Sequence, residues 1–213
     1  MRFVSPEQLF PILLVAGILL LVAFPIHEFA HALAAYRLGD STARYLGRLT
    51  LNPVAHFDPV GALFLFITAI GGFAIGWAKP TPVNPANLAG GRQGEALVAF
   101  AGPFSNLVMA SLVAIPLRAI GILGIAAPEI VLTVLTYLVL FNLLLFVFNL
   151  LPIPPLDGYK ILLAAVSPRI AWQLRPYEQY GFLVLFVLLF TGAFGILFQL
   201  VIIPIFRFLV GGF

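Results

Sequence analysis

Two of the three histidines of this chain lie four residues apart, in the stretch His27-Glu28-Phe29-Ala30-His31. Residues with this spacing share one face of an α-helix, so both imidazoles can reach a single metal ion. Glu28 lies one position further round the same turn, where its carboxylate can take a proton from a metal-activated water. The H-E-x-x-H spacing is typical of zinc hydrolases, in which the glutamate is the general base.

A catalytic zinc site needs a third protein ligand and an open coordination position. The chain has no cysteine, and Asp157 is the only acidic residue between Glu129 and Glu178. Asp157 directly follows the proline-rich stretch 152–156, and unwound backbone within a membrane is tolerated where it lines a cavity. The alternative is that Asp157 caps the short helix after it. Beside the H-E-x-x-H spacing we favour the ligand role.

The composition places these residues in a membrane. Of 213 residues, 9% are charged and 62% are hydrophobic, whereas soluble domains have about 25% and 45–50%. This excludes a water-soluble globule, and the hydrophobicity also excludes a disordered chain. The net charge of +3 is too small and too scattered for nucleic-acid binding. We therefore expect a lipid bilayer as the surroundings and no nucleic acid as a partner.

Five stretches without Asp, Glu, Lys or Arg have the length of a membrane span, which needs about 20 apolar residues. They are 8–26, 59–78, 96–117, 130–156 and 179–206. The first predicts a retained helix over about 6–38 that ends at Gly39, because no signal-peptide cleavage site follows it. The last is long enough for one kinked span with bends at Gly192, Gly195 and Pro204. The predicted fold is an all-α polytopic membrane protein.

The stretch Val60–Trp77 differs from the others because internal glycines and flanking prolines weaken it as a helix. His31 lies near the end of the first helix, and Asp157 follows the fourth stretch. The two can meet only on one side of the membrane, and a full crossing by Val60–Trp77 would separate them. We therefore predict a re-entrant hairpin near 60–85, a short helix near 158–167 and four to five transmembrane helices.

The distribution of basic residues supports the same topology. With a re-entrant hairpin, eight of the eleven Lys and Arg residues lie on the side of the metal site and three on the other. A full crossing would divide them six to five. Because basic residues favour the cytoplasmic side, we expect a multi-pass protein of the cell membrane whose active site faces the cytoplasm.

These motifs, in this order, resemble the site-2 protease family of intramembrane zinc metalloproteases. The matching stretches are 27–31, Gly102-Pro103-Phe104-Ser105-Asn106 and 149–158, and the stretches 52–59 and 76–80 resemble a compact prokaryotic branch without a PDZ or CBS domain. The resemblance implies that residues 1–213 form a single transmembrane metalloprotease domain. It also implies cleavage of a transmembrane segment of membrane-anchored substrates in regulated intramembrane proteolysis.

The resemblance also implies a role for each residue of the metal site. His27, His31 and Asp157 would bind one zinc ion per chain, and Glu28 would be the catalytic base. A membrane-anchored protein substrate is then the expected partner.

One extended segment is a candidate for contacting that substrate. Thr81, Pro82, Val83 and Asn84 lie in a proline-rich stretch that could pair with an unwound peptide by β-augmentation. The alternative is a plain connecting loop.

Three further polar residues are candidates for the site. Asn106 and His56 could each donate a hydrogen bond to the developing oxyanion. The alternatives are an interhelical polar contact for Asn106 and an interfacial position for His56. Asn149 could orient a metal ligand or satisfy backbone groups freed by the prolines. Asn142, on the same helix as Asn149, is expected to hold two helices together.

Two other functions are compatible with the His/Glu cluster. A transporter or channel could use it as an ion or proton relay, but such proteins carry internal repeats, and this sequence shows none. An inactive zinc-binding relative could hold membrane partners without hydrolysis, but it would not need Glu28 as a base.

Overall fold

The computed structural model describes residues 6–70 and 76–211, and the regular structure in these two ranges is helical throughout. The α-helices, numbered in chain order, are α1 (Pro6–Ile18), α2 (Phe24–Arg37), α3 (Thr42–Tyr45), α4 (Pro53–His56), α5 (Pro59–Ile70), α6 (Arg92–Leu123), α7 (Glu129–Asn149), α8 (Asp157–Ala165), α9 (Pro168–Leu174), α10 (Gly181–Phe190), α11 (Ala193–Leu197) and α12 (Ile203–Val210). The predicted all-α fold is confirmed.

Four helical segments of the described ranges are long and apolar enough to cross a membrane. They are Leu9–Arg37, Arg92–Leu123, Glu129–Asn149 and Ala193–Val210. The protein is therefore a polytopic membrane protein, as its composition predicts. The short helix α8 occupies the predicted place after the prolines.

The first span carries an irregularity that the sequence does not announce. A π-helical turn, Leu19–Ala23, joins α1 to α2 just before the H-E-x-x-H motif. Such turns often mark functional sites within helices. α2 ends at Arg37, and Gly39 has a left-handed φ of 103°, which places the end of the helix as predicted.

The segment after α4 returns to the side from which it started. α5 has 12 residues and reaches about 18 Å, whereas the hydrocarbon core is about 30 Å thick. The carbonyl of Trp77 lies directly against Gly61, and the Lys79 N–H donates to the His56 carbonyl at 2.9 Å. This is the predicted re-entrant hairpin, of which residues 71–75 lie outside the described ranges.

The long helix α6 lies at the centre of the molecule and packs against α2, α7 and α8. Its small residues Ala110 and Ala114 are buried against Val139 and Leu143 of α7. Small side chains allow membrane helices to approach closely. Because α6 also packs against α2 and α8, it fixes the position of both helices that carry the predicted metal ligands.

The last charge-free stretch crosses once but is divided into two helical parts. Gly181 packs against Pro154, just after the end of α7, whereas Gly211 lies near the Arg118 side chain towards the far end of α6. Gly192 has a left-handed φ of 77° and separates α10 from the span Ala193–Val210. The predicted bend at Gly192 is confirmed. The prediction for Gly195 is wrong, because that residue continues α11. Near the third predicted bend, Pro204, the helix contains a π-helical turn, Phe198–Ile202.

Candidate metal centre

Three potential ligand atoms converge between α2 and α8. The Nε2 atoms of His27 and His31 are 3.0 Å apart. Oδ2 of Asp157 lies 3.4 Å from the first and 3.2 Å from the second. In the described part of the chain these three residues form a group that could hold a metal ion, with all ligand atoms within 4.8 Å of one another. All three side chains are buried.

Both imidazoles are oriented from behind by α6. His27 Nδ1 donates to Oδ1 of Asn106 at 2.6 Å, and His31 Nδ1 donates to the Val98 carbonyl at 2.7 Å. These acceptors assign the tautomer in which Nδ1 carries the proton. The lone pair of each Nε2 therefore faces the other ligands. Metal-bound histidines are held in this way, by an acceptor on the nitrogen away from the metal.

The oxygen and the nitrogen of the Asn106 side-chain amide both form hydrogen bonds. Besides accepting from His27, its Nδ2 donates to Oδ1 of Asn142 at 3.2 Å, and Asn142 in turn donates to the Leu138 carbonyl at 2.8 Å. Both asparagines are fully buried. The structure therefore connects α2, α6 and α7 through this chain of amides. Asn106 stands behind a ligand, and the interhelical contact expected of Asn142 is present.

Gly102, one helical turn before Asn106, makes room for the ligands. A Cβ at this position would lie 2.7 Å from His27 Nε2 and would overlap the His31 ring. Only a glycine lets α6 approach the imidazoles this closely. This explains why the Gly102–Asn106 stretch belongs with the H-E-x-x-H motif.

Asp157 is the first residue of α8, and its carboxylate faces the histidines. The N-cap residue is Leu156, and no side chain caps this helix. Gly158 packs against the Leu150 carbonyl, so the proline-rich turn folds tightly beneath the carboxylate. Oδ1, the oxygen turned away from the histidines, lies 3.6 Å from Lys160 Nζ. The alternative role of Asp157 as a cap is not the arrangement found here.

Glu28 directly follows His27 in the sequence and contacts the connecting segment, residues 79–89. The backbone N–H of Thr81 donates to Oε2 of Glu28 at 2.6 Å, and the Thr81 hydroxyl donates to the Glu28 carbonyl at 2.9 Å. The connecting segment therefore meets α2 at the predicted base.

A cleft separates the connecting segment from α6 and α8. It has a volume of about 120 Å³ and is lined by Thr81, Val83, Pro85, Glu95, Val98, Ala99 and Lys160. Val98 is the residue that holds His31, Lys160 approaches Asp157, and Thr81 bonds Glu28. The cleft therefore lies directly beside the metal centre and the predicted base.

The side chains of two other predicted residues form hydrogen bonds with groups other than the ligands. His56 is buried, its Nε2 donates to the Thr50 carbonyl at 2.8 Å, and its Nδ1 lies 3.5 Å from Arg48 Nη2. Asn149 Nδ2 donates to the Leu145 carbonyl of its own helix at 3.0 Å. None of these hydrogen bonds involves His27, His31 or Asp157.

Some residues that support the candidate metal centre could not be recognised from the sequence. Val98 acts through its carbonyl, which every residue has, so no side-chain type signals it. The proximity of Lys160 to Asp157 could have been predicted, because Lys160 follows it by three residues and such residues are neighbours on a helix. Asp40 and Arg48 stood out in the sequence only as charged residues in a chain that has few of them.

Comparison with known proteins is consistent with this site. Residues 113–192 match the sequence profile of Peptidase family M50. The chain is 42% identical over 190 residues to YwhC of Bacillus subtilis, covering 87% of this chain and 83% of that protein. It is 37% identical over 184 residues to Rip2 of Mycolicibacterium smegmatis, covering 85% and 68% respectively. Both relatives are provisionally named zinc metalloproteases. No solved structure matches the chain significantly.

The fold and the site thus define a membrane-embedded metallopeptidase. The chain belongs to Peptidase family M50, the site-2 protease family. The donor set of two imidazoles and one carboxylate fits zinc at a catalytic site, and zinc is the cofactor of this family of enzymes. The predicted enzyme class and cofactor are confirmed.

Proposed function

We propose that this protein is an intramembrane zinc endopeptidase formed as one domain by residues 1–213. His27, His31 and Asp157 hold the zinc ion, and Glu28 is the general base. The observation that carries the proposal is the convergence of three ligand atoms, one of them from the residue directly before Glu28, together with a cleft that Thr81, the hydrogen-bond partner of Glu28, helps to line. When bound at these residues, zinc supplies the Lewis acidity that makes water nucleophilic near neutral pH.

The protein residues supply the proton transfers and the orientation. The Glu28 carboxylate takes the proton of the attacking water and later gives it to the leaving amine nitrogen. The Thr81 N–H bonds Oε2 of Glu28 and fixes the direction of this carboxylate. Asn106 and the Val98 carbonyl hold the imidazoles in the tautomer that binds metal through Nε2.

The substrate is a membrane-anchored protein that is cut within its transmembrane segment during regulated proteolysis. A transmembrane helix hides its carbonyls in internal hydrogen bonds, so the segment must unwind before attack. Alternate residues of the connecting segment, Thr81, Val83 and Pro85, line the cleft. Within the described part of the chain, the Val83 N–H and carbonyl have no hydrogen-bond partner. These groups support pairing of the unwound peptide with Thr81–Asn84 by β-augmentation.

The protein is a multi-pass protein of the cell membrane, and the metal centre faces the cytoplasm. The return of the 59–79 segment to its starting side supports this topology, because it leaves eight basic residues on the side of the metal centre. Basic residues are enriched on the cytoplasmic side of membrane proteins.

The test is cleavage of a model single-span substrate by purified protein in detergent, with bound zinc measured in parallel. We expect Glu28→Gln to keep about one zinc per chain and to lose cleavage by at least about 100-fold. Glu129→Gln removes a carboxylate at the opposite end of α7 and should cleave like the wild type. If the wild type binds zinc but does not cleave, the inactive-relative alternative is favoured. If it binds no metal, the transporter alternative is favoured.

A further inference from the structure

Two buried charges lie outside the metal centre, and the proposed chemistry does not use them. Among the described residues, the buried charged side chains are Asp40, Arg48 and Asp157, and Asp40 is 0% exposed and Arg48 6%. A buried charge is costly unless it is well hydrogen-bonded. In a chain with so few charged residues, these two require a structural explanation.

Asp40 holds the far end of the connecting segment. Its Oδ2 accepts from the Asn84 N–H at 2.7 Å, and its Oδ1 accepts from Asn87 Nδ2 at 3.1 Å and from the Thr42 N–H at 3.0 Å. Burial opposes ionisation, but the hydrogen bonds from Thr42, Asn84 and Asn87 outweigh it and hold the pKa of Asp40 below its usual value. The carboxylate is therefore ionised and charge-assisted in its bonds to the segment.

Arg48 holds the near end of the same segment. Its Nη2 donates to the Lys79 carbonyl and, at 3.3 Å, to the Pro80 carbonyl. The Lys79 N–H donates to the carbonyl of His56, whose ring lies beside the guanidinium. Within the described residues, Arg48 forms no salt bridge, and its Nε has no hydrogen-bond partner. The buried guanidinium therefore donates mainly to two backbone carbonyls of the connecting segment.

The part of the segment between these two attachments is the part that faces the cleft. Thr81, Val83 and Pro85 line it opposite Val98 and Ala99 of α6. The Ala89 N–H also donates to the Leu38 carbonyl at 2.7 Å, which ties the end of the segment to α2. Asp40 and Arg48 both lie between α2 and α4, on either side of the short helix α3.

We propose that Arg48 and Asp40 are positioning residues for substrate binding. By holding the two ends of the connecting segment, they fix its distance from α6 and its extended conformation. The cleft is thereby preorganised for an extended peptide, and the entropy of ordering the segment is not lost when the substrate binds. This inference rests on the proposed function and names the residues that determine substrate affinity at the same site.

The proposal predicts a change in substrate binding without loss of the metal. In Arg48→Met and Asp40→Asn, zinc content should stay at about one per chain. KM should rise about 10- to 100-fold, as expected when a buried charge-assisted bond is lost, while kcat changes less. Because one nitrogen of Arg48 makes both carbonyl bonds, Arg48→Lys should recover part of the affinity. Arg118→Met, at the opposite end of α6, is the matched control and should leave KM unchanged.

Hydrogen exchange measures the positioning directly. Amides of residues 79–89 should exchange faster in Arg48→Met and Asp40→Asn, whereas those of α2 and α6 should not change. An unchanged KM, or no rescue by Arg48→Lys, would overturn the proposal. Loss of zinc in both variants would also overturn it, because the charges would then support the whole metal centre. If the wild type does not cleave, the proposed function fails, and the exchange data still decide whether these residues order the segment.

Discussion

Substitution of Gly102 by alanine tests the geometry of the metal centre with the smallest possible change. The added Cβ would lie 2.7 Å from His27 Nε2, whereas ordinary contacts begin at 3.4 Å, so this imidazole would have to retreat by about 0.7 Å. Metal–ligand distances tolerate errors of about 0.2 Å. The His31 ring is displaced as well. We therefore expect Gly102→Ala to weaken zinc binding by about 100-fold, the upper end of the 10- to 100-fold range for losing a ligand-supporting contact.

The assay is competition for zinc between the purified protein and a chelator of known affinity, followed by cleavage of the model substrate with zinc in excess. Gly17→Ala is the matched control, because a Cβ at Gly17 meets nothing within 4 Å. In the interior of α1 the same substitution should favour the helix by about 1 kcal/mol. Wild-type zinc affinity in Gly102→Ala would refute the argument, because the ligands would then lie farther from α6 than the structure places them.

Three other outcomes follow from the same structure. Asn106→Ala removes the acceptor that orients His27 and should lower zinc affinity about 10- to 100-fold. The control Ser111→Ala loses a hydrogen bond only to its own helix and should keep the wild-type zinc affinity. Equal zinc affinities of the two variants in a chelator titration would contradict the role of Asn106. Removal of zinc by a chelator should abolish cleavage, and readdition should restore it, as measured on the wild type; cleavage that survives complete removal would exclude a metal mechanism. The pKa of Asp40 is lowered by its hydrogen bonds, so its contribution to stability is fully present above the ordinary carboxyl pKa of about 3.9 and is lost as the pH falls further. Melting temperatures between pH 3 and 7 should therefore show a gap between wild type and Asp40→Asn that narrows below about pH 4, and a constant gap would contradict this.

Much of the architecture follows from local patterns in the sequence. Membrane helices satisfy their own backbone hydrogen bonds, so the long charge-free stretches other than 59–78 each predict a helix without reference to their neighbours. The requirement that His31 and Asp157 meet on one side predicts that the segment after α4 turns back. The division of the last stretch at Gly192 was one of three candidate bends, and only packing in the folded chain selects among them.

By itself, the sequence indicated the residues that we propose for the chemistry, because helical spacing places His27, Glu28 and His31 on adjoining positions whatever surrounds them. It also indicated Asp157, with helix capping as the alternative, and the H-E-x-x-H spacing favoured the ligand role. Only the tertiary structure decided which groups support them. The Val98 carbonyl behind His31, the room made by Gly102 and the attachment of the connecting segment by Asp40 and Arg48 depend on contacts between distant parts of the chain. Such contacts depend on how closely α6 packs against α2 and α8. The spacing of residues along the sequence does not determine the distance between these helices.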